Sequence, residues 1–223
     1  MSLSKRLTQV RDQLDSAITT AGRPPHSVQL LAVSKTHPPD AIRELFAQGQ
    51  TAFGENYCQE AREKQRQLSD LAIEWHFIGP IQSNKTREIA EHFTWVHTVD
   101  RLKIAQRLSE QRPESLPPLN LCLQVNIDNE ATKAGVSVAE LPALVAAINE
   151  LPRLQLRGLM AIPAPREDYQ QQLQAFQRLA AAAREFPTMD TLSMGMSADM
   201  TAAVAAGSTL VRIGTGIFGP RSR

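Results

Sequence analysis

A lysine closes the apolar run Val28-Gln29-Leu30-Leu31-Ala32-Val33-Ser34-Lys35-Thr36. The run reads as a strand buried on both faces, and alternation puts Leu31, Val33 and Lys35 on one of them. Desolvation disfavours a charged amine, so a lysine in that position is pushed toward the neutral nucleophile that forms a Schiff base with an aldehyde. A lysine that has simply reached solvent at a strand end has the same local sequence, so other residues must decide. Far along the chain, Gly195-Met196-Ser197 and Gly214-Thr215-Gly216 combine hydroxyls with glycines. Such groups suit a phosphate: glycines let amides approach its oxygens, and a helix beginning near Ser197 would add unpaired N–H groups and a partial positive charge. A helix cap and turn glycines would use the same residue types. Arg212 interrupts Leu210-Val211-Arg212-Ile213. Alternation turns it inward, where a guanidinium needs acceptors, either a structural carboxylate or the ring nitrogen or phosphate of a ligand.

The intervening pattern must bring these residues together. Leu3, Leu7, Val10, Leu14 and Ile18 lie on one face of a helix over 3–21, closed by Gly22 and Pro24-Pro25. After the strand holding Lys35, strands are predicted at 51–54, 73–78, 95–99, 119–127, 154–160, 191–194 and 209–213. Helices are predicted between them, over about 40–48, 57–68, 82–93, 101–111, 138–149, 169–186 and 198–206. Asp100 is placed to cap the helix at 101. The Arg112–Pro118 linker is the most proline-rich stretch and could mark a boundary, yet the alternation resumes directly after it. Eight strands alternating with helices imply a parallel sheet with helical crossovers, and within this length a (β/α)8 TIM barrel with one extra N-terminal helix, residues 1–223 forming a single domain. A doubly wound open sheet is the alternative, but its glycine fingerprint after the first strand is absent. Glycines and a short tail follow the eighth strand.

In such a barrel the site lies at the C-terminal ends of the strands, often with a phosphate after strands seven and eight. Lys35, Met196, Ser197, Arg212, Gly214 and Thr215 all fall at those ends. So do Asn56 after strand two, Asn84 and Lys85 after strand three, Asn126 after strand five, and Met160 and Pro163 around the end of strand six. His76, within strand three, reads as a satisfied core histidine. An amine opposite a phosphate cradle suggests pyridoxal 5′-phosphate, whose aldehyde and phosphate lie on opposite sides of one ring.

Composition narrows the alternatives. The 223 residues are 42% hydrophobic and 21% charged, with a net charge of +1, so a substantial core can form and no global field draws the chain to nucleic acid or membrane. Cys58 and Cys122 have no metal-ligand spacing and read as reduced thiols. The start of the chain is amphipathic rather than signal-like, and no apolar run approaches the roughly 20 residues of a membrane helix. The expectation is a soluble, cytoplasmic protein, and with no exposed apolar stripe demanding a dimer, a monomer.

The segments Leu31–Thr36, Phe53–Tyr57, His76–Lys85, Gly158–Pro163, Leu192–Met200 and Val211–Thr215 resemble, in order and over essentially the whole chain, those of the YggS/PROSC family of pyridoxal-phosphate homeostasis proteins. The resemblance implies an alanine-racemase-type barrel that binds pyridoxal phosphate through Lys35. It implies a role as carrier or regulator of the vitamin B6 pool that influences amino-acid metabolism, with no robust catalysis known for the family. Ser197, Gly214 and Thr215 would hold the phosphate, and Arg212 would face the pyridine nitrogen and keep it unprotonated. Two positions depart from the family pattern. His37 replaces a second lysine near the first, and Ala198 replaces an acidic residue.

Two other activities use the same lysine. Racemisation needs a base on each face of the substrate carbon. Relatives with that activity place a tyrosine there from a β-rich second domain. This chain ends just past strand eight, and of Tyr57 and Tyr169 only Tyr57 is expected near the rim. A phosphosugar-type lysine enzyme would need a carboxylate near Lys35, for which Glu55 is the candidate. The carrier reading is preferred, with pyridoxal-phosphate-dependent apo-enzymes as its partners.

Overall fold

Each strand is too short to shield both its faces alone, and the fold closes them on one another. In the computed structural model, which describes residues 1–219, β1 (Gln29–Val33), β2 (Ala52–Glu55), β3 (Glu74–Phe77), β4 (Trp95–Val99), β5 (Leu119–Gln124), β6 (Leu154–Met160), β7 (Thr191–Ser193) and β8 (Leu210–Ile213) form a closed barrel in sequence order. Every neighbouring pair is parallel, and the ring closes where β1 pairs with β8, Leu31 opposite Arg212. The helices are α1 (Leu3–Thr20), α2 (Pro39–Ala47), α3 (Cys58–Gln67), α4 (Thr86–His92), α5 (Leu102–Gln111), α6 (Leu141–Asn149), α7 (Tyr169–Ala183), α8 (Met200–Ala205) and α9 (Thr215–Phe218). The extra helix α1 takes its cap from Ser2 and buries Leu7, Val10, Leu14 and Ile18; it packs against α2, α8 and α9. The expected tail extends into residues 220–223, which lie outside the described residues.

The main apolar core lies between barrel and helices, with Ile42, Leu45, Phe53, Phe77, Ile104, Leu108 and Phe176 fully buried. The lumen is filled differently. Leu31, Ala52 and Leu210 pack with Ile78 in one small cluster, and Trp95, Cys122 and Met160 form another. Between them lie the buried polar side chains of His76, His97, Ser193 and Arg212.

Several boundaries differ from the sequence expectation. β1 ends at Val33, so Lys35 sits in a turn and is half-buried instead of continuing the strand. Thr36 has φ +67°, and this left-handed residue turns the chain before α2. Asp100 does not cap α5: Arg101 is the capping position, without a side-chain cap bond, and the Asp100 carboxylate pairs with the Arg101 guanidinium. α8 begins at Met200, not Ala198, because the Asp199 carboxylate folds back to accept the Met196 N–H at 2.6 Å. That side-chain bond competes with a helical turn. α9 was not foreseen; it buries Ile217 and Phe218.

Candidate functional site

Seven residues singled out in the sequence line one cavity. Lys35 at the end of β1, Asn56 after β2, Met196 and Ser197 after β7, and Arg212, Gly214 and Thr215 from β8 onward share a space of about 320 Å³ with Val33, Ile78, Ile162 and Ala198. All lie at or beyond the C-terminal ends of strands, the end of a (β/α)8 barrel where sites are built. The volume falls in the range of small-ligand pockets. A larger groove of about 610 Å³ runs along the outer faces of α3 and α4 and holds no strand-end residue.

The cavity is polar at its floor and at its rim. Arg212, 4% exposed, forms the floor. Its Nη1 donates to the Ser193 carbonyl at 2.6 Å and to Ser193 Oγ at 2.8 Å, and its Nη2 donates to the Ala161 carbonyl at 3.1 Å. Among the described residues its hydrogen bonds go to Ser193 and Ala161 and to no carboxylate; burial lowers it to about 10, with Asp199 opposing at longer range. The guanidinium therefore keeps a positive field facing the cavity.

Beneath Arg212 a chain of hydrogen bonds crosses the lumen. Ser193 Oγ lies 2.7 Å from His97 Nδ1, His97 Nε2 lies 2.9 Å from His76 Nδ1, and His76 Nε2 lies 2.7 Å from Glu74 Oε1 at the first residue of β3. Burial pushes both imidazoles below their ordinary range, His97 further, since His76 and Arg212 add repulsion. The His76 hydrogen bond lowers Glu74. A carboxylate only accepts, so His76 Nε2–H donates to it. Neutral His76 then accepts at Nδ1 from His97 Nε2–H, and neutral His97 accepts at Nδ1 from the Ser193 hydroxyl. Each proton points away from the cavity. His76 is thus the satisfied core histidine expected, while its continuation to Arg212 through His97 and Ser193 was not foreseen.

At the rim, Ser197 and Thr215 are exposed and the two loops carrying them meet. A Cβ at Gly216 would come within 3.2 Å of Ser197 Oγ and 3.0 Å of Ile213, so only glycine permits this approach without displacement. Gly195 has φ +101°, and a Cβ there would strike Ala203. Because α8 starts at Met200 and has six residues, the rim carries the Ser197 and Thr215 hydroxyls and not the helix N-terminus expected near Ser197. Asn56 Oδ1 is buried and has no partner among the described residues. Gly79 lets the Asn56 backbone approach, since a Cβ at that position would overlap Asn56 O.

Other expected positions lie elsewhere. Asn126 bonds the Glu130 and Lys133 carbonyls and ties a loop. Lys85 pairs with Glu88. Met160 belongs to the lumen core. Asn84, Pro163 and both tyrosines are not among the lining residues, and Tyr57 is 55% exposed. Glu55 is fully buried against Lys64 and Ser34, outside the cavity; burial raises its carboxyl, and Lys64 only partly offsets that. His37 stacks on Phe218 at 4.4 Å between centroids. Ala198 lines the cavity, and the neighbouring Asp199 keeps a carboxylate in the loop, raised by burial. Cys58 and Cys122 are buried thiols pushed up to about 11 and about 12. No helix among the described residues is long and apolar enough to cross a membrane.

The closed parallel barrel, its lysine beyond β1 and its arginine on β8 define a ligand-binding (β/α)8 protein. The chain belongs to the family of the alanine racemase N-terminal domain, which it matches over residues 6–222. It is 55% identical to the pyridoxal phosphate homeostasis protein of Escherichia coli K12, over 98% of this chain and 97% of the relative. It is 57% identical to the protein of that name from Pseudomonas aeruginosa PAO1, over 99% and 96%. Among solved structures it resembles PipY of Synechococcus elongatus PCC7942 with PLP bound, at 40% identity and a TM-score of 0.85, over 98% of this chain and 100% of that one.

Proposed function

We propose that this chain binds pyridoxal 5′-phosphate and serves in its homeostasis, holding the cofactor and releasing it to dependent apo-enzymes rather than turning over a substrate. It would do so as a monomeric, cytoplasmic, single-domain protein spanning 1–223. The observation that carries this reading is that Lys35, Arg212 and the Ser197–Thr215 pair line one cavity. The relatives named for pyridoxal phosphate homeostasis, and the related structure holding PLP, support it.

The residues fit the ligand. Lys35 is the amine that would take the aldehyde. Ser197, Thr215 and the backbone at Gly214 would receive the phosphate at the rim, which Met196 also lines while its own N–H stays on Asp199. Arg212 would donate to the pyridine nitrogen from the floor, and a donor there holds that nitrogen unprotonated. Asn56, whose buried amide oxygen has no partner among the described residues, would turn its amide to a polar group on the ring. Bound there, pyridoxal phosphate supplies an electrophilic aldehyde and a ring that can spread negative charge. Racemisation asks for a second proton-transfer group facing Lys35. The remaining lining is Val, Ile, Met, Ala, Gly, Asn, Ser, Thr and Arg, which favours holding over turnover.

The test is a visible spectrum of the purified protein beside Lys35→Ala, followed by borohydride reduction and peptide mapping. A yellow wild type with the reduced cofactor on Lys35, a variant without that adduct, and no interconversion of D- and L-alanine are the expected results. A protein that stays colourless with added pyridoxal phosphate overturns the reading.

A further inference from the structure

Lys35 is gripped on both sides by one helix. From α3, Lys64 Nζ donates to the carbonyl of Ser34 at 2.8 Å, and Glu60 Oε1 accepts the N–H of Thr36 at 2.5 Å. The two side chains are joined to each other, Lys64 Nζ to Glu60 Oε1 at 2.5 Å. Lys64 reaches further, to Glu55 Oε1 at 2.7 Å, and that same oxygen accepts the Ser34 hydroxyl at 2.6 Å. The peptide groups immediately before and after Lys35 thus end on a single ionic network.

The network is unusual in place and in conformation. Lys64 is 4% exposed and Glu55 is fully buried, and charges so placed are costly unless paired and hydrogen-bonded. Thr36 is β-branched and sits at φ +67°, a region such residues avoid. Its N–H points at Glu60 because of that bend. A surface turn needs neither a buried ion pair nor a strained threonine. Together they specify the direction in which the residue between Ser34 and Thr36 leaves the barrel.

We propose that Glu60 and Lys64 are positioning residues for Lys35, holding the Ser34–Thr36 backbone in the bend that presents the amine to an aldehyde in the cavity. This rests on the reading of Lys35 as the residue that takes pyridoxal phosphate. In the step concerned the Lys35 nitrogen adds to the aldehyde carbon and a carbon–nitrogen double bond forms. The carbonyl oxygen leaves as water with both amine protons, and nothing is oxidised or reduced. Formation of that bond depends on the approach of nitrogen to carbon, whereas seating the phosphate and ring does not.

The experiment compares the full-length wild type with Glu60→Ala and Glu60→Gln. Glu60 is 28% exposed, and removing it leaves the Lys64–Glu55 pair in place, so the variant is expected to fold; circular dichroism and the melting temperature check this. Stopped-flow absorbance follows adduct formation with pyridoxal 5′-phosphate, and calorimetry follows binding of pyridoxine 5′-phosphate, which has no aldehyde. Glu60→Ala is expected to slow adduct formation about tenfold while binding pyridoxine 5′-phosphate as the wild type does. Glu60→Gln, which keeps an oxygen for the Thr36 N–H, is expected to recover most of the rate. An unchanged rate in Glu60→Ala with the wild-type adduct on Lys35 overturns the positioning role and leaves the cofactor reading intact. Equal losses for both ligands overturn it too, since they report general damage to the cavity. A wild-type adduct mapped to another amine overturns the reading on which the proposal rests.

Discussion

Two buried polar networks reach the cavity, one through the barrel lumen to Arg212 and one behind Lys35, and they handle charge in opposite ways. The lumen network has one formal charge at the cavity, Arg212, and reaches its nearest bonded carboxylate, Glu74, only through a hydroxyl and two neutral imidazoles. The network behind Lys35 packs Lys64, Glu55 and Glu60 in direct contact. The second directs its ions at each other and at backbone, with Glu55 bonded through Oε1 while its buried Oε2 has no partner among the described residues. The first leaves its positive end facing the cavity, with neutral acceptors holding the guanidinium in place. A network that closes on itself suits positioning. One that leaves a charge facing outward suits binding.

The largest effect should come from opening the closed network. Lys64→Met strands the fully buried Glu55 carboxylate, and breaking a buried pair on one side costs about 3–5 kcal/mol. Urea denaturation should show that loss, and Glu55→Gln in the same background should return part of it. An unchanged midpoint for Lys64→Met would mean that the pair carries no buried charge. His97→Phe should come next. It removes the acceptor of the Ser193 O–H, whose oxygen keeps its bond from Arg212, and leaves His76 Nδ1 without its donor, at about 1–3 kcal/mol for a buried group left unpaired.

Acid separates the two networks by sign. His76 and His97 have folded-state values below their ordinary range, so the unfolded chain binds protons first. Their contribution to stability is complete above about pH 6.5 and is lost as the pH falls below it, by up to about 1.4 kcal/mol per pH unit for each histidine until its folded value is reached. Glu55 is raised by burial, so the folded state takes up its proton more readily than the unfolded chain, and acidification through the carboxylate range favours folding there. Melting temperatures from pH 7 to 5 should fall in the wild type and fall less in His97→Phe. Parallel curves would show that the imidazoles are not the groups responsible.

The contrast also explains what could be read from the sequence. Apolar runs at regular spacing are enough for a (β/α)8 barrel, and barrel topology alone brings residues as distant as Lys35 and Arg212 to one rim. The ends of the elements were less legible. Ser197 looked like a helix cap, but the Asp199 side chain takes the Met196 amide and delays α8. The apolar run carries the expected β1 two residues past its end at Val33, and Ser34, though outside the strand, is as buried as a strand residue. Glu60 and Lys64 have the i, i+4 spacing of an ordinary solvated pair on a polar helix, and nothing local signals that Lys64 is buried. His76 stood out as an interior histidine. Its link through His97 and Ser193 depends on strand register around the barrel, to which single-chain periodicity is blind.

The smallest effect tests whether the lumen network is set by charge or by hydrogen-bond direction. Glu74 is partly exposed at the far end of the barrel, so its charge is screened by water. Glu74→Gln keeps an oxygen that can accept from His76 Nε2–H, and every donor above it keeps its orientation; the loss should stay below about 1 kcal/mol. Glu74→Met removes the acceptor and leaves His76 Nε2–H without its partner, at a cost of about 1–2 kcal/mol. Nitrogen NMR of the histidine rings gives the sharper distinction. Both imidazoles should show the Nε2–H tautomer in wild type and in Glu74→Gln. In Glu74→Met the His76 proton is free to move to Nδ1, which would oblige His97 to reverse and Ser193 to accept instead of donate. If wild type already shows Nδ1–H on His97, the chain runs toward Arg212, and the floor of the cavity is held by a different set of protons.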